Sequence, residues 1–438
     1  MLRVATGRRN KTFSVFENLK NARRQSIQKS LLQKMVKDCD RLLGAAGESI
    51  SISLAAEILA CYAQLESASR EAFQDTLAMR YNPEVTAITT AAAQWGKSGA
   101  PQDLVQLIRA AEPPRQELLR RLNRAPGGTA AIVKMREEIL ARLKKSGELA
   151  AVDADFEHLL SSWFNPGFLK LQKIDWNSPA ILLERIIELE AVHAIEGWSD
   201  LRRRLEQDRR LYVYFHPALP GEPLIFVEVA LLPSMPAAIA PLLDPTLAPD
   251  ADPAHYRTAV FYSISTCQPG LRGIHLGNFL IKRVAKQLKS EFPALKEFCT
   301  LSPVPTLEPF VQSEAPFDAA KLGERPAAAL TKLREQVRAS GAETKSTPDT
   351  WAKLCAGYLL QTAPDGEGLS DPVARFHLNN GARLERINLQ ADLSPKGQRQ
   401  SRGVMVNYAY DLADIEKNHE RFASGTVCAS KKVKAWLA

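Results

Sequence analysis

The sequence contains no long uninterrupted run of apolar residues. Its longest runs, at 224–227 and 229–233, are separated by Glu228 and end at Pro233. A helix needs about 20 consecutive apolar residues to cross the hydrocarbon core of a bilayer. The sequence therefore predicts a protein without a membrane-spanning helix.

The cysteines are few and scattered, with no CxxC pair and no histidine at a metal-ligand spacing. The six are Cys39, Cys61, Cys267, Cys299, Cys355 and Cys428. In a chain of this length the pattern argues against a disulfide framework and a zinc site, and it favours a reducing compartment. Residues 1–16 carry four basic residues and no acidic one, which resembles a transit peptide only faintly, because the pattern runs straight into a predicted helix. We expect a cytoplasmic, bacterial-type location, with a mitochondrial one as the alternative.

Acidic residues are in the minority. The chain has 57 Lys and Arg against 49 Asp and Glu, which gives a formal net charge of +8. This excess suits partners that carry phosphate, and both nucleic acids and coenzyme A qualify; an arginine-rich solvated surface explains it equally well. Zinc-finger spacing, an RNP-like motif and a basic-aromatic stripe are all missing from the sequence, so it does not predict a nucleic-acid partner.

The 438 residues are enough for two or three domains. From about residue 13 to 163 the apolar residues recur three and four apart, which predicts helices that bury one face. Thr129 is well placed to cap the helix through Met135 and Ile139. We predict an all-helical N-terminal domain over residues 1–155, used in contacts between copies of the chain.

The pattern changes after residue 164. Residues 211–216 and 224–231 are rich in β-formers and predict a hairpin. Residues 258–265 predict another strand, 276–292 a helix and 297–301 a further strand. Residues 314–350 read as loop or weak helix, and 351–360 as a helix. Residues 156–438 therefore predict a second domain that mixes strands and helices.

A glycine-rich segment, residues 268–278, lies between a predicted strand and a predicted helix. Glycines let backbone N–H groups converge on an anion, and a helix N-terminus adds partial positive charge. The spacing is neither GxGxxG nor GxxxxGK[ST], and a tight turn without a ligand would also explain it. The segment resembles the pyrophosphate loop of the GCN5-related acetyltransferase fold, which binds acyl-CoA.

Several longer blocks, in order, resemble the malonyl-CoA decarboxylase family. They are FYSIS at 261–265, GLRG at 270–273, LGNFLIKRV at 276–284, LSPVP at 301–305, PVARFHLNNGA at 372–382 and NYAY at 407–410. Together with looser similarity they cover most of residues 155–412. The resemblance implies an α+β two-domain protein: an all-helical N-terminal domain followed by an α/β GCN5-related acetyltransferase-like domain with a mixed sheet.

The resemblance also implies a site. It assigns Ser302 and His377 as the catalytic pair, and it places malonyl-CoA on the loop residues Arg272, Gly273, Ile274, His275, Leu276, Gly277 and Asn278. Two positions depart from the family pattern. His275 stands where animal members commonly have glutamate, and Pro305-Thr306-Leu307 stands where Pro-Gly-Phe often follows.

The implied reaction converts malonyl-CoA to acetyl-CoA and CO2, in malonate or fatty-acid metabolism. Loss of CO2 leaves a thioester enolate that must be stabilised and protonated at carbon 2. The thioester is itself the electron sink, so neither a metal nor an organic cofactor is required. A histidine suits the acid role, so we assign protonation of carbon 2 to His377. We assign binding of the malonyl carboxylate to Ser302, and Tyr410 is a further donor to the substrate.

Two other functions fit parts of the sequence. An acyl-CoA N-acyltransferase would share the loop but would need a base that deprotonates an amine acceptor. A non-enzymatic malonyl-CoA sensor or scaffold would bind without turnover, and the presence of both Ser302 and His377 argues against it. We expect a homo-oligomer, a dimer or a tetramer, formed through the helical domain.

Overall fold

The chain is described by a computed structural model over residues 6–44, 47–143, 145–250, 252–274, 276, 280–340, 347–364 and 370–437. The chain divides into two compact units. The first consists of residues 1–168, 217–220 and 268–275, and the second of 169–216, 221–267 and 276–438. The domain boundary predicted at 155/156 stays a prediction. The prediction of a helical N-terminal region followed by an α/β domain with a mixed sheet is confirmed.

The first unit is helical. Its helices are α1 (Thr6–Gly44), α2 (Glu48–Gln64), α3 (Ser67–Arg80), α4 (Val85–Ser98), α5 (Pro101–Ala111), α6 (Pro114–Leu122), α7 (Gly128–Arg142) and α8 (Leu149–Trp163). Helix α2 buries Leu54, Ile58 and Cys61, which recur at helical spacing. Proline at the first position of α5 and α6 fixes the backbone angle there and removes no hydrogen bond.

The second unit contains the other helices and all eight strands of the described chain. The helices are α9 (Ala180–Leu189), α10 (Trp198–Arg204), α11 (Ala240–Leu243), α12 (Leu280–Glu291), α13 (Leu307–Gln312), α14 (Ala319–Leu322), α15 (Glu324–Ser340), α16 (Pro348–Leu360), α17 (Pro372–Asn379), α18 (Pro395–Ser401), α19 (Ile415–Ala423) and α20 (Lys431–Lys434). Short 3-10 turns lie at Pro166–Phe168 and Pro269–Leu271 in the first unit, and at Pro253–His255 and Ala435–Leu437 in the second.

One mixed sheet organises the second unit. Its strands are β1 (Lys170–Ile174), β2 (Arg209–Phe215), β3 (Ile225–Leu232), β4 (Thr258–Thr266), β5 (Glu297–Thr300), β6 (Ser302–Pro303), β7 (Arg383–Asn388) and β8 (Met405–Ala409). The order is β1-β2-β3-β4-β5-β8-β6, and β7 also pairs with β8. Only the β4–β5 pair is parallel among these strands. The predicted hairpin is present as β2 and β3, which pair antiparallel.

Strand β5 pairs along its whole length with the first part of β4. Thr258 to Phe261 lie opposite Glu297 to Thr300, and β4 then continues to Thr266 without a partner on that side. Apolar side chains from β4, β5 and β8, such as Val260, Cys299 and Met405, form a buried cluster. This core fixes the strand ends that carry the candidate site.

One local prediction was wrong. Thr129 does not cap α7: the capping position is Gly127, and the Thr129 hydroxyl instead donates to Asn123 Oδ1 at 2.7 Å. Residues 314–350, predicted as loop or weak helix, include α14 and the 17-residue helix α15, and residues 341–346 lie outside the described residues. The helix predicted over 276–292 is present as Leu280–Glu291; Leu276 is not helical, and residues 277–279 are not described. No described helix is both long and apolar enough to cross a membrane.

Candidate active site

Ser302 and His377, the predicted catalytic pair, lie in contact in the second unit. The Ser302 Oγ atom is 2.9 Å from His377 Nε2, and both side chains are buried. Ser302 begins the short strand β6, which pairs with β8, and His377 lies in the second turn of α17. Residues 75 positions apart in the chain therefore form one hydrogen-bonded pair.

Tyr410 occupies the other nitrogen of the imidazole. Its hydroxyl is 2.8 Å from His377 Nδ1. The imidazole also stacks on the ring of Tyr408, with centroids 4.6 Å apart and planes 27° apart. Contacts on both nitrogens and on one ring face leave the side chain a single orientation. The structure thus places Tyr410 behind the histidine, at the nitrogen opposite the one that meets Ser302.

Thr300 is a member of the site that was not predicted from the sequence. The Ser302 hydroxyl donates to Thr300 Oγ1 at 2.8 Å, and that oxygen also accepts from the backbone N–H of Tyr408 at 3.2 Å. Asn407 Nδ2 donates to the Thr300 carbonyl at 2.7 Å. Thr300 lies two residues before Ser302, a spacing that puts both side chains on one face of an extended strand. That spacing was the available signal.

The strand register explains why these side chains meet. Ser302 lies opposite Val406 on β8. Because every second side chain of a strand points to the same face, Val406, Tyr408 and Tyr410 lie on the face of Ser302. Phe261 of β4 contacts the Tyr410 ring edge-on, with centroids 6.2 Å apart. The site is therefore built from the ends of neighbouring strands, with α17 delivering the histidine.

Burial keeps the site uncharged in the absence of a ligand. It lowers the pKa of His377 to about 3, and it raises the pKa values of Tyr408 and Tyr410 well above their usual range. The imidazole is therefore neutral near pH 7. Since the Ser302 hydroxyl donates to Thr300, its oxygen accepts from His377 Nε2–H, and Nδ1 accepts from the Tyr410 hydroxyl.

Residues 268–274 of the glycine-rich loop belong to the first unit, where α7 holds them. Arg136, almost fully buried, donates to the carbonyls of Gly270 and Arg272 at 2.9 and 2.8 Å, and its Nε pairs with Asp153. A Cβ at Gly270 would lie 2.0 Å from the Val133 carbonyl oxygen, so only glycine fits there.

The loop residues differ in exposure. Arg272 and Gly273 are exposed, and Gly273 has φ +86, a backbone conformation that favours glycine. Ile274 is buried and Leu276 is half-buried. His275, Gly277 and Asn278 lie outside the described residues. Within the described chain, no group of three or more His, Cys, Asp or Glu side chains could hold a metal ion.

Comparison with known families covers both units. The model of the malonyl-CoA decarboxylase C-terminal domain matches residues 167–438, and that of the N-terminal domain matches residues 81–164. The mitochondrial malonyl-CoA decarboxylase of the goose Anser anser anser is 34% identical over 348 residues, which are 74% of this chain and 68% of that protein. The mouse enzyme is 35% identical over 74% of this chain and 70% of its own length.

Solved structures agree with the sequence matches. The crystal structure of malonyl-CoA decarboxylase from Rhodopseudomonas palustris is 45% identical, covers 92% of this chain and 99% of its own, and superposes with a TM-score of 0.82. That from Agrobacterium vitis is also 45% identical, covers 92% and 100%, and gives 0.78. The matches extend over the segments that carry Ser302, His377 and Tyr410. The chain belongs to the malonyl-CoA decarboxylase family.

Proposed function

We propose that this chain is a carboxy-lyase that converts malonyl-CoA to acetyl-CoA and CO2. Membership of the family supports the proposal, and the buried hydrogen bond between Ser302 Oγ and His377 Nε2 is the observation that carries it. A serine and a neutral histidine, both removed from water, supply donors that strengthen as negative charge develops on a substrate. The family matches do not favour an acyltransferase or a sensor.

The chemistry proceeds in two steps. The bond between carbon 2 and the carboxylate breaks, CO2 leaves, and the electron pair moves into the thioester carbonyl to give an enolate. Carbon 2 then takes a proton. The thioester accepts the electrons, so the reaction requires neither a metal nor an organic cofactor. A low-polarity site favours the first step, because the charge of the carboxylate is dispersed as CO2 departs.

Each side chain takes one role in this scheme. When malonyl-CoA binds, the Ser302 hydroxyl turns from Thr300 Oγ1 to donate to the malonyl carboxylate, and His377 delivers the proton to carbon 2. The substrate carboxylate raises the pKa of an adjacent imidazole, so binding itself moves His377 from its neutral resting state towards the acid form. Tyr410, on Nδ1, holds the ring so that Nε2 faces Ser302.

The coenzyme is proposed to bind at the glycine-rich loop. Its pyrophosphate would lie against the residues Arg272, Gly273, Ile274, His275, Leu276, Gly277 and Asn278. The support is chemical. Exposed Arg272 supplies positive charge, and Gly273, which is exposed, has no side chain to keep an anion away from the backbone.

Assembly and location are proposed as well. The helical domain, residues 1–155, joins copies of the chain into a dimer or tetramer, and residues 156–438 carry out catalysis. Exposed apolar side chains on α4 and α5 support the first part. A cytoplasmic, bacterial-type location is proposed; solved bacterial relatives and mitochondrial animal relatives both exist.

Malonyl-CoA in deuterated buffer tests the reaction. The purified chain, without added metal or cofactor, should release CO2 and give acetyl-CoA with one deuterium at carbon 2 by mass spectrometry. His377→Ala and Ser302→Ala should each lower kcat by roughly 10²–10⁴-fold, the usual contribution of general acid catalysis. Intact malonyl-CoA after incubation with the native chain would reject the proposal, as would acylation of an added amine.

A further inference from the structure

Asp371 links the two chain segments that carry the catalytic pair. Its carboxylate is almost fully buried and accepts four hydrogen bonds. One oxygen, Oδ1, accepts from the backbone N–H groups of Val373 and Ala374, both at 2.9 Å. The other, Oδ2, accepts from the Thr306 backbone N–H at 3.3 Å and from the Thr306 hydroxyl at 2.6 Å.

The first oxygen caps the helix of the histidine. Asp371 is the N-cap of α17, and His377 follows six residues later on the same short helix. A capping carboxylate satisfies N–H groups that have no partner within the helix. It therefore fixes where α17 begins and, through the rigid helix, where the imidazole lies.

The second oxygen holds the segment of the serine. Thr306 follows Ser302 by four residues, and Pro303 and Pro305 lie between them. Each proline fixes its own backbone φ and restricts the preceding residue. Val304, between the two prolines, is fully buried. Because this segment is rigid, a displacement of Thr306 moves Ser302 by a similar distance.

The hydrogen bonds form a directed chain. An ionised carboxylate only accepts, so the Thr306 hydroxyl must give its proton to Asp371. The Tyr358 hydroxyl, 2.8 Å from Thr306 Oγ1, then donates to threonine. The Tyr358 ring stacks on Phe310 with centroids 4.3 Å apart. This contact holds Tyr358, the last member of the hydrogen-bonded series, in the core.

Asp318 provides a comparison for Asp371, because it caps a helix through one carboxylate oxygen. It is the N-cap of α14, and its Oδ1 accepts from the backbone N–H groups of Ala320 and Lys321. This is the same capping pattern that Asp371 makes with Oδ1. The added feature of Asp371 is the second oxygen, which reaches a residue 65 positions away in the chain.

We propose that Asp371 is a positioning residue that sets the distance between Ser302 and His377, by clamping the serine segment through Thr306 and the histidine helix through its N-terminus. The inference deepens the proposed decarboxylase function and rests on it. Displacement of reacting groups by 1 Å can lower a rate by about 10²-fold. Loosening the clamp should therefore lower kcat, while binding of the coenzyme, which does not depend on this distance, persists.

The sharpest test removes one hydroxyl. Thr306→Val keeps the shape of the side chain but cannot donate to Asp371 or accept from Tyr358, and it should lower kcat by about tenfold with KM for malonyl-CoA within about twofold. Thr306→Ser restores the hydroxyl and should recover most of the activity. Melting temperatures and acetyl-CoA affinity are measured in parallel to separate positioning from folding.

A second pair of variants tests the carboxylate. Asp371→Asn places an amide donor where four donors already converge and should lower kcat by up to about 10²-fold. Asp318→Asn makes the same change at the simple cap and should leave kcat unchanged. If Asp371→Asn does not fold, the threonine pair alone decides.

The outcomes are separable. Native kcat in Thr306→Val would overturn the clamp, as would activity lost only in proportion to unfolded protein, or no recovery in Thr306→Ser. Nitrogen NMR of the His377 ring gives a readout independent of turnover, and Thr306→Val should shift its resonances. If the native chain releases no CO2, the decarboxylase proposal fails, and the NMR shift still decides whether the clamp positions the histidine.

Discussion

His377 is held by contacts of three kinds, and each constrains a different property. Ser302 and Tyr410 occupy its two nitrogens, Tyr408 stacks on its face, and burial excludes water from the ring. The hydrogen bonds fix the orientation of the ring, whereas burial sets its charge. A buried imidazole is costly to protonate, and this cost affects the stability of the whole fold.

Acid should destabilise the protein through His377. Below pH 6.5 the histidine of the unfolded chain binds a proton, whereas the folded ring stays neutral down to a pKa of about 3. The unfolded state therefore binds more protons in this window, and the free energy of unfolding falls as pH falls, by roughly 1.4 kcal/mol per pH unit. Chemical unfolding of the native chain and of His377→Gln measures the effect. The native chain should lose about 2 kcal/mol more than the variant between about pH 7 and about pH 5.

The exposed residue His158 provides the control. His158→Gln makes the same substitution on the surface of α8 and should follow the pH dependence of the native chain. His193 also contributes acid sensitivity, since burial lowers its pKa to about 4, but it is common to all three proteins and cancels in the comparison. Parallel curves for the native chain and His377→Gln would show that the buried ring is not the source.

Tyr410→Phe should separate orientation from binding. The substitution removes one oxygen and leaves His377 Nδ1 without its partner, so the ring gains freedom to turn away from Ser302. Loss of an orienting partner typically costs about 10–100-fold in activity. We expect kcat to fall by that factor with KM nearly unchanged, measured by steady-state CO2 release. A rise in KM alone would instead make Tyr410 a substrate-binding residue, the role assigned to it from the sequence.

The sequence could nominate some side chains of the site but could not assemble them. Ser302, His377 and Tyr410 lie in blocks that resemble one family, so a pattern in the chain identified them before any geometry was known. Thr300 and Asp371 contribute through hydrogen bonds that depend on strand register and on a contact between distant segments. The two-residue spacing of Thr300 and Ser302 could have suggested a shared face, but nothing in the sequence pairs Asp371 with Thr306, 65 positions away.

Among the helices and strands, predictions that rested on a strong repeat of apolar or β-forming residues were confirmed. The prediction that rested on one local residue preference, a helix cap, was wrong. Hairpin β2–β3 follows from two β-rich runs on either side of a turn. Thr129 matched the preference for a capping residue, yet α7 begins at Gly128 because Gly127 adopts a left-handed conformation, φ 73, that ends the preceding turn. Helix α15 lies in a segment predicted only as loop or weak helix, because few of its positions are apolar: it packs through Ala327 and Leu330.

Helix α7 also stabilises the glycine-rich loop. Its buried Arg136 satisfies two carbonyls of the glycine-rich loop and ties them to Asp153. The guanidinium of Arg136 meets two backbone carbonyls, the Asp153 carboxylate and, at 3.9 Å, the Glu157 carboxylate, so it fixes the loop instead of binding a ligand itself. The backbone N–H groups of Leu271, Arg272 and Ile274 are hydrogen-bonded within the loop and stabilise the same shape.

Arg136→Met should weaken coenzyme binding and leave the chemical step intact. Methionine retains much of the apolar stem but provides no donor for the two loop carbonyls, so the loop loses its fixed shape. We expect KM for malonyl-CoA to rise by about tenfold with kcat within about twofold. Arg142→Met, on the same helix, removes contacts to Glu71, Gln74 and Asp75 without touching the loop and serves as the control. Equal KM values in both variants would reject the role of Arg136.

At the scale of the whole molecule, α4 and α5 are unusual in how much of their apolar surface is exposed. They pack against each other, yet none of their residues, all of which the structure describes, is buried. Large apolar side chains on them are exposed: Val85, Trp95, Leu104, Val105 and Ile108. A contiguous exposed apolar surface is typical of a contact with another protein. The net charge of +8 that every copy carries opposes self-association, so the assembly proposed above would draw on such apolar contacts.

The assembly proposed above predicts a mass that falls when this surface is charged. Light scattering should give a multiple of 48.4 kDa for the native chain and a single copy for the double variant Val105→Glu, Ile108→Glu. Burying two carboxylates without partners would cost several kcal/mol, more than a typical interface can offset. Gln106→Glu adds a charge to the same exposed helix without replacing an apolar side chain and should keep the native mass. A native chain of 48.4 kDa, or a double variant with the native mass, would show that α5 does not join the copies.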